Sequence, residues 1–469
     1  MTRALRIVRL GHGREALRIC GALAFLASFA SIRLGAQQEI PPAPAPSMTS
    51  PAPDSSEAAP KSSPPVKERF LVDRFPDKPS LPPVFTIPIG TLGFTAPSSN
   101  YLGARNSMAS LDFLDENRLL FTFRIPGLMH RDPSNGDDSA ERQIRAVVLS
   151  LPKGAIEAEA TWTVHDRVRY LWPLNNGHFL VRDRNNLLEG DDTLALKPYL
   201  EFPGPLLSVE FDPEQHFLVT NSDESASKDA KAGGAPDPTT ASATVTSDAD
   251  AETGGAAPNL VIRILRHDSG DVMLVSRVRT AVHLPINSIG YLENLRSRGM
   301  EWTLSFRYFT GGSKMLGQVE SNCEPDDVFL SEQEILATTC GPSGESTLVA
   351  MSTAGKTLWE TKAPPTEVWP QLVVAANGSR LAWETLDTTH PIYAYAPMDA
   401  GDVKEQSVTV FDAANGDIAL VSPVSPVLDA GGNVAVSPSG RRVALLNAGS
   451  IQIFDLPAPA TVHIANGLP

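Results

Sequence analysis

The sequence is poor in the residue types on which most enzyme and metal sites depend. It has 3 cysteines and 9 histidines in 469 residues, and no two histidines have the i,i+4 spacing of a helical metal motif. After residue 36 it contains no phosphate-binding loop, no dinucleotide-binding fingerprint and no nucleophile elbow. The sequence therefore identifies no catalytic residue, no cofactor-binding residue and no metal ligand, and we expect no cofactor.

Positive charge is also scarce in this chain. Lys and Arg number 39 against 54 Asp and Glu, which gives a formal net charge of −15. Such a chain repels the phosphates of nucleic acids and anionic lipid headgroups. We therefore expect no nucleic-acid partner and no insertion of the mature chain into a membrane. The negative charge fits solubility, cation binding or a basic partner, and does not distinguish among these.

One hydrophobic run stands out, and it lies near the N-terminus. Cys20–Ile32 is uncharged and apolar, but it is shorter than the roughly 20 residues needed to cross a bilayer. Leu34–Ala36 then ends in a small residue suited to cleavage. This order predicts a signal peptide over residues 1–36 and export to the periplasm or the extracellular space, with an uncleaved anchor as the alternative. The basic residues before the run are Arg3, Arg6, Arg9, Arg14 and Arg18.

Two stretches lack the apolar residues that a folded core needs. Residues 37–82 are rich in Pro, Ala and Ser, and predict a disordered linker. Residues 222–258 contain almost no large apolar side chain, and predict a disordered insertion within a repeat. The folded region is predicted over residues 83–460, followed by a short tail at 461–469.

The folded region repeats a unit of one apolar strand, a polar turn and a second apolar strand. The turns contain Asn-Gly, Asp-Pro or Ser-Gly pairs, which suit tight reversals, and the flanking runs are aliphatic or β-branched. Each copy therefore predicts a β-hairpin. The copies begin at Ser110, Tyr170, Ser208, Asp327, Leu372 and Asn433.

A second hairpin follows most copies of the first, and its turn ends in glycine. Glycine is expected at this position because the turn requires a positive φ. The copies begin at Ala146, Val261, Leu348 and Val408, and their glycines are Gly154, Gly270, Gly355 and Gly416.

Two hairpins make a four-stranded antiparallel sheet, and such sheets at intervals of roughly 40–50 residues are the blades of a β-propeller. Six first hairpins are visible, and a divergent blade fits at Ser288–Leu292 and Trp302–Tyr308. The sequence therefore predicts an all-β fold, a seven-bladed β-propeller, with eight blades as the alternative. We expect Phe85–Tyr101 to pair with the last blade and close the ring.

Only Cys323 and Cys340 remain after the predicted signal peptide. An even pair in an exported chain predicts a structural disulfide, because export compartments are oxidising. Two free buried thiols are the alternative. Without companion histidines, two cysteines are too few for a zinc site.

Some of the repeats resemble those of known propellers. Leu348–Glu360 resembles a repeat of the pyrroloquinoline-quinone-type propellers, and Asn433–Leu446 with Ile451–Asp455 resembles repeats of the TolB-type and WD-repeat propellers. The resemblance covers roughly residues 105–457 and concerns blades rather than sites. The quinone dehydrogenases carry an adjacent pair of cysteines that this chain lacks. The resemblance therefore implies the propeller fold and no particular activity.

Three other features allow a structural and a functional interpretation. His178 and His216 occupy the same turn position in successive repeats, which favours a repeat feature over metal ligation. The acidic loop Asp132–Glu141 does not have the spacing of an EF-hand, which favours a solvated loop over a calcium site. The six tryptophans are spread over the repeats, which favours packing over a carbohydrate platform. They are Trp162, Trp172, Trp302, Trp359, Trp369 and Trp383.

Two function classes remain. The sequence favours an exported, non-catalytic module that binds a protein or a glycan. The alternative is a periplasmic or secreted enzyme that uses the central channel, either a quinone-type oxidoreductase or a metal-dependent hydrolase. The alternative predicts His, Asp or Glu side chains clustered in the channel, whereas a lining of Ala, Val and Ser would exclude it. Fold alone supports neither class, because propellers host many functions.

Overall fold

The structure of the chain is a computed structural model. The chain divides into two compact units, residues 1–64 and residues 65–469. The first unit lies outside the described residues, as do the predicted signal peptide, most of the predicted linker and insertion, and the C-terminal tail. The described residues are 78–97, 106–127, 130–131, 140–166, 168–225, 260–280, 282–392 and 398–459.

Seven antiparallel sheets make up the described part of the second unit, and each is a propeller blade. The predicted all-β fold with seven four-stranded blades is confirmed. The first strand in the chain, β1 (Phe85–Pro88), belongs to blade 7. Blade 1 contains β2 (Ala109–Asp115), β3 (Arg118–Arg124), β5 (Ala140–Ser150) and β6 (Ala155–Val164), with the short β4 (His130–Arg131) beside β5. Blade 2 contains β7 (Leu171–Pro173), β8 (Phe179–Asp183), β9 (Asn186–Gly190) and β10 (Lys197–Glu201), and blade 3 contains β11 (Leu206–Phe211), β12 (Phe217–Asp223), β13 (Leu260–Arg266) and β14 (Val272–Val278).

The divergent blade predicted around residues 288–308 is blade 4 of the ring. Its first strand has only two residues, so the hairpin of its second and third strands makes up most of the blade's inner half. Blade 4 contains β15 (Ile286–Asn287), β16 (Gly290–Arg298), β17 (Glu301–Tyr308) and β18 (Ser313–Glu320); blade 5 contains β19 (Asp326–Ser331), β20 (Glu334–Cys340), β21 (Ser346–Ser352) and β22 (Thr357–Ala363); blade 6 contains β23 (Glu367–Val374), β24 (Arg380–Thr388), β25 (Val403–Asp412) and β26 (Ile418–Pro423); blade 7 contains β27 (Val434–Val436), β28 (Arg442–Asn447) and β29 (Ser450–Asp455) in addition to β1.

The first strand of each blade lies at the centre of the ring. Neighbouring blades meet through these strands, since β2 contacts β7 and β27, and β15 contacts β19. Middle strands are buried on both faces, and Leu119–Phe123 of β3 is buried without a break. Outer strands such as β14 alternate between exposed and partly buried residues. The cores therefore lie between blades, as where Leu111 and Phe121 of blade 1 pack with Ile453 of blade 7.

The tryptophans belong to these cores. Five of the six are buried, and Trp369 is partly buried against the core between blades 5 and 6. The indole N–H groups of Trp162, Trp302 and Trp359 donate to backbone carbonyls at 3.1, 3.0 and 2.6 Å. The predicted packing role of the tryptophans is confirmed.

The ring closes where the two ends of the folded region meet. β1 pairs antiparallel with β29, with Phe85 opposite Ile453 and Pro88 opposite Ser450. Blade 7 thus takes its outer strand from the N-terminal side and its other strands from the C-terminal side. The predicted pairing of this segment with the last blade is confirmed.

The glycines of the second hairpins have the predicted conformation. Gly154, Gly270, Gly355 and Gly416 have φ values of 65°, 69°, 89° and 70°. At Gly355 a Cβ atom would also lie 2.0 Å from the backbone oxygen of Leu316. A side chain there would force two neighbouring blades apart.

The ring has two unlike faces. Because strands alternate in direction, connections from the first to the second strand and from the third to the fourth emerge on one face, here named the turn face. The other connections emerge on the opposite face, here named the loop face. Every connection on the turn face is short, whereas the strands that flank the long connections 89–108, 125–139, 224–259 and 389–402 end at the loop face.

Hydrogen bonds between blades hold the turn face together. Gln215 Oε1 accepts from the backbone N–H of Asn175 in the preceding blade at 2.6 Å. Glu332 accepts from the Ser288 hydroxyl at 2.5 Å in the same way. Glu116 links blade 1 to blade 7 through a backbone N–H at 2.7 Å. These side chains occupy corresponding turns, so the repeat itself sets up the contacts between blades.

Two boundaries differ slightly from the predicted ones. β12 continues through Asp223, so Ser222 and Asp223, which the sequence placed in the insertion, belong to a strand and pair with β13. The end of the predicted linker also packs on the propeller, since Ser80 N donates to Val421 O at 2.9 Å and Leu81 contacts a core. At both places, strand pairing and burial carry the folded structure a few residues into segments whose composition alone predicted disorder.

Helix is limited to single turns in the described ranges. Gly90–Leu92 and Ala400–Asp402 are 3₁₀ turns of three residues each. None of the helices described there is long and apolar enough to cross a membrane.

Candidate functional site

The disulfide fixes the connection from blade 4 into blade 5. Cys323 and Cys340 are joined, with their Cα atoms 5.5 Å apart. The backbone N–H of Asn322 donates to Cys340 O at 2.8 Å, and Ser321 Oγ accepts from the Cys340 N–H at 2.9 Å. The connection therefore holds the residues that follow it, Glu324 and Asp326, in a fixed position at the inner edge of blade 5.

Three blades meet at one imidazole near these residues. His283 lies in the connection that leads from β14 to β15, and its Nδ1 lies 3.0 Å from Glu210 Oε2 on β11. Its Nε2 lies 3.4 Å from Asp326 Oδ1 on β19 and donates to the backbone oxygen of Asp327 at 2.5 Å. We call the group Glu210, His283, Glu324 and Asp326 the acidic wall.

The imidazole of His283 is positively charged at neutral pH. Burial lowers the pKa of His283, but the hydrogen bond and charge of Glu210, with Asp326 and the Asp327 carbonyl, raise the pKa to about 10. Both ring nitrogens then carry protons and face acceptors. The side chain has no free lone pair to act as a general base or a metal ligand.

The acidic wall is accessible to solvent, although protein surrounds it. The side chains of His283 and Asp326 keep 42% and 58% of their surface. Burial among the blades nevertheless raises the pKa of Asp326, and the charge of His283 opposes this shift. Accessible surface together with enclosure by protein is the signature of a channel wall.

Asp327 lies behind the wall, between blades 4 and 5. It is 1% exposed, and burial raises its pKa to about 6, against the opposing effects of Asn294 and His283. The hydrogen bond from the Asn294 side chain and the charge of His283 offset part of the cost of burying this carboxylate.

A second polar pair lines the channel at blades 1 and 2. Burial raises the pKa of Asp112 on β2, while its hydrogen bond from Ser110 and the charge of Arg169 lower it. Arg169 precedes β7, and its guanidinium lies 5.6 Å from the centre of the Trp172 ring. Here one carboxylate faces one cation, so this part of the channel is balanced in charge.

A third polar group lies between blades 6 and 7, and we call Glu384, Gln406 and Asn433 the amide seam. Gln406 Nε2 donates to Glu384 Oε1 at 2.6 Å, and Gln406 Oε1 accepts from Asn433 Nδ2 at 3.1 Å. All three residues are at most 1% exposed. Burial raises the pKa of Glu384 to about 8, against hydrogen bonds from Asn433 and the Gly432 backbone. Glu384 is therefore largely uncharged at neutral pH.

The loop face also has a small apolar pocket near the point of ring closure. Its volume is about 430 Å³, and its polar surface is limited to Ser425 and backbone atoms. Ser425 Oγ already donates to Asn447 Oδ1 at 2.9 Å. The lining residues are Ile89, Gly90, Phe94, Ala96, Ser425, Pro426 and Gly449.

The two turn histidines do not meet at a site. His178 Nδ1 lies 2.7 Å from Glu189 Oε1 in its own blade, while His216 is largely exposed beside Glu214. Most of the acidic loop Asp132–Glu141 lies outside the described residues. Within the described part of the chain, no group of three or more His, Cys, Asp or Glu side chains is arranged to hold a metal ion.

The acidic wall was not predicted from the sequence. A signal was present, because Asp112 and Glu210 each precede a phenylalanine in the first strand of a blade. An ionisable residue repeated at the position facing the channel could have indicated a polar lining. His283 had no such signal, since the first strand of its blade is reduced to two residues.

No family model and no curated protein matches the chain. Among solved structures, it is similar to the Pyrococcus horikoshii acylaminoacyl peptidase, with 10% identity, a TM-score of 0.43 and 76% of this chain covered. The chain spans about half of that protein, 52% of its length.

Two further solved structures are propellers of similar size. The propeller domain of the Pyrococcus furiosus Trilobed protease has 10% identity and a TM-score of 0.42, covering 75% of this chain and 96% of that domain. Chaetomium thermophilum Sqt1, a WD-repeat protein solved with the N-terminus of ribosomal protein L10, has 10% identity and a TM-score of 0.39, covering 76% and 98%. Likenesses at this level carry no argument about function. The resemblance to quinone-type and TolB-type propellers stays a prediction.

Proposed function

We propose that this chain is an exported β-propeller that binds a protein partner on its loop face and does not catalyse a reaction. One observation carries the proposal, namely the contrast between the two faces of the ring. The turn face has short turns bonded to one another, whereas the strand ends that flank the four longest connections lie at the loop face. Binding residues are concentrated on loops that a rigid scaffold positions.

A protein partner is favoured over a glycan. Exposed aromatic rings are the usual platform for sugars, and five of the six tryptophans are buried in blade cores. The loop face instead offers an apolar pocket and leads into a channel with the acidic wall. Apolar contact at the rim with charge at the centre suits a polypeptide.

Export is part of the proposal and rests on the sequence. The signal-peptide pattern of residues 1–36 and the paired Cys323 and Cys340 both support an oxidising compartment. Fractionation of the source cells, with N-terminal sequencing of the recovered protein, tests this directly. We expect a protein outside the cytoplasm that begins at Gln37, and a cytoplasmic protein that begins at residue 1 or 2 would contradict export.

An enzyme is the second candidate, because the acidic wall is the kind of channel cluster that the alternative requires. His283 argues against it, since an imidazolium paired on both nitrogens can neither accept a proton nor bind a metal at neutral pH. Turnover of a substrate by the purified protein, lost in His283→Gln, would overturn the non-catalytic proposal.

Capture from the cell envelope, combined with an amine-reactive cross-linker, tests the binding face. Lys362 and Lys404 lie at strand ends on the loop face, whereas Lys153, Lys314 and Lys356 lie at the turn face. We expect a retained protein whose cross-links join Lys362 or Lys404. Cross-links confined to the turn-face lysines, or no retained protein, would contradict the proposal.

A further inference from the structure

The outer strand of each blade has one edge with which no described strand pairs. Such an edge offers its backbone N–H and C=O groups to any other extended chain, and proteins usually block it with charged residues, above all lysine, or with proline. Six of the seven outer strands contain a lysine, an acidic residue or a proline. Examples are Glu157 in β6, Lys197 in β10, Lys314 in β18, Glu360 in β22, Pro423 in β26 and Pro88 in β1.

The outer strand of blade 3, β14, is the exception. Val272–Val278 contains no lysine, no acidic residue and no proline, and its one charged residue is Arg277. Val272, Met273 and Val275 are 51%, 41% and 55% exposed, whereas every other outer strand has at most one exposed large apolar side chain among the described residues. Blade 3 therefore has an apolar edge without the usual protection against strand pairing.

The charges around β14 are separated by sign along the strand. Asp271 comes directly before β14, whereas Arg277 and Arg279 lie at its far end. Asp271 and Arg279 are both exposed. If two copies of the strand pair antiparallel, the acid of each copy meets the arginines of the other, whereas a parallel pair brings like charges together. The strand is thus complementary in charge to itself in one orientation only.

We propose that two copies of this chain associate edge to edge through β14, antiparallel and related by a twofold axis at Val275. Pairing centred there places Asp271 of one copy beside Arg279 of the other, because both residues are equally distant from Val275 in the sequence. The pairing of β14 with β13 shifts by one residue at Met273, and an arginine side chain is long enough to span a shift of that size. This inference goes beyond the proposed function and does not depend on it.

A second copy fits this edge better than an unrelated strand does. The chain has a formal net charge of −15, so two copies repel each other over most of their surface. Close approach is favoured where acidic side chains are absent, and β14 is such a place. A twofold interface also uses the same patch on both copies, so the attraction between Asp271 and Arg279 acts twice.

The antiparallel arrangement also fixes the directions of the two loop faces. In each copy β14 runs from the turn face to the loop face, because it is the fourth strand of its blade. Two antiparallel copies of β14 therefore direct the loop faces of the dimer to opposite sides.

Sedimentation velocity of the protein produced in the source cells, over a series of concentrations, tests the inference. A single pair of strands is a small interface, so we expect a dimer with a dissociation constant of about 10 µM. Val275→Lys places two ammonium groups against each other at the twofold axis and should raise this constant about tenfold or more. The matched control is Met315→Lys on β18, where the residue is 65% exposed, and it should change the constant less than about threefold.

Exchange of the charges tests the antiparallel orientation and leaves the apolar residues unchanged. Asp271→Arg and Arg279→Asp should each raise the dissociation constant about fivefold, because each places like charges together twice. The double variant should return the constant to within about twofold of the natural value, since opposite charges then meet again. A double variant that dimerises as weakly as the single variants would be evidence against the proposed pairing.

A protein that stays monomeric up to about 1 mM would overturn the inference. The edge would then be left to a strand of another protein or to residues 226–259 of the same chain. Dimers weakened equally by Val275→Lys and Met315→Lys would also overturn it, because the association would not depend on β14.

Discussion

The acidic wall and the amide seam are both carboxyl groups placed at junctions between blades, and they differ in charge. In the wall, Glu210 and Asp326 have solvent in the channel and an imidazolium within 3.4 Å. In the seam, Glu384 is fully buried, and the side-chain amides of Gln406 and Asn433 are among its hydrogen-bond partners. Burial raises the pKa of Asp326 and that of Glu384, but the positive charge of His283 opposes the rise at Asp326, whereas only hydrogen bonds oppose it at Glu384.

The difference separates a junction that holds two blades together from one that carries charged side chains. In the seam, the neutral Glu384 is hydrogen-bonded to Gln406, which is hydrogen-bonded to Asn433, and this chain of contacts joins blade 6 to blade 7. A neutral acid exerts little attraction on a charged group. In the wall, the carboxylates outnumber the one cation, so they repel one another and still attract positive charge. The seam therefore specifies packing, whereas the wall keeps charge available in the channel.

The largest expected effect comes from making the seam neutral at every pH with Glu384→Gln. Because the folded-state pKa of Glu384 is about 8 and its unfolded value is 4.5, the natural protein loses stability as pH rises from 4.5 to 8. The variant lacks this loss, so we expect it to be more stable by ~4 kcal/mol above pH 8 and nearly equal at pH 5. Urea unfolding at pH 5, 7 and 8.5 measures the difference.

A stability difference that stays constant over this pH range would contradict the neutral seam. Glu157→Gln serves as the control, because the same substitution on an exposed outer strand should leave the pH profile unchanged.

The next largest effect is expected on the wall side, where the disulfide fixes the connection that carries Glu324. Replacing Cys323 and Cys340 by serine removes a cross-link across 17 residues and should lower the free energy of unfolding by about 3 kcal/mol. Reduction of the natural protein should reproduce the change, as followed by urea unfolding. If the reductant shifts the urea midpoint of the double-serine variant as much as that of the natural protein, the loss of stability does not come from the disulfide.

His283→Gln removes the cation that the wall shares. The pKa of His283 is raised above its ordinary 6.5 to about 10, so its contribution to stability is fully present below pH 6.5 and is lost as pH rises through 10. Since the side chain is 42% exposed, solvent screening reduces this contribution to ~1 kcal/mol at pH 7. Thermal unfolding at pH 6 and pH 10.5 should show a deficit in the variant that disappears at the higher pH, and a deficit independent of pH would be against the assignment.

The smallest effect is expected at a third kind of junction, where Glu332 is stabilised by neutral donors. Its carboxylate accepts from the Ser288 hydroxyl at 2.5 Å and from the Ser288 N–H at 3.1 Å. Glu332→Gln keeps one acceptor and should cost ~0.5–1 kcal/mol. Equilibrium unfolding with Ser288→Ala in a double-mutant cycle checks that the loss comes from this contact.

The fold was predictable because its signals are local. Each hairpin is encoded within about a dozen residues by alternating apolar runs and a turn, and Gly355 or Gly416 marks a turn without reference to the rest of the chain. The closing strand at Phe85 could also be assigned, because the last blade needs one more strand to complete its sheet and the segment at Phe85 was the strand left over.

The acidic wall was not predictable in the same way. Glu210, His283 and Asp326 come from three blades and are separated by long stretches of sequence, including residues 226–259. None of them stands in a motif, and their meeting depends on how neighbouring blades are angled around the channel. Asp327 shows the same limit, because its burial is set by blade 4 rather than by its own strand.

The sequence by itself determined the all-β class, the repeated hairpins, the turn conformations and the net negative charge, because each depends on residues close together in the chain or on composition alone. It favoured seven blades but left eight open, and the tertiary structure decided for seven. The tertiary structure decided which carboxyl groups are charged, since the pKa of Glu384 and that of Asp327 depend on burial and on neighbours from other blades. It also decided that Glu210, His283 and Asp326 form one wall, since only closure of the ring brings the first strands together.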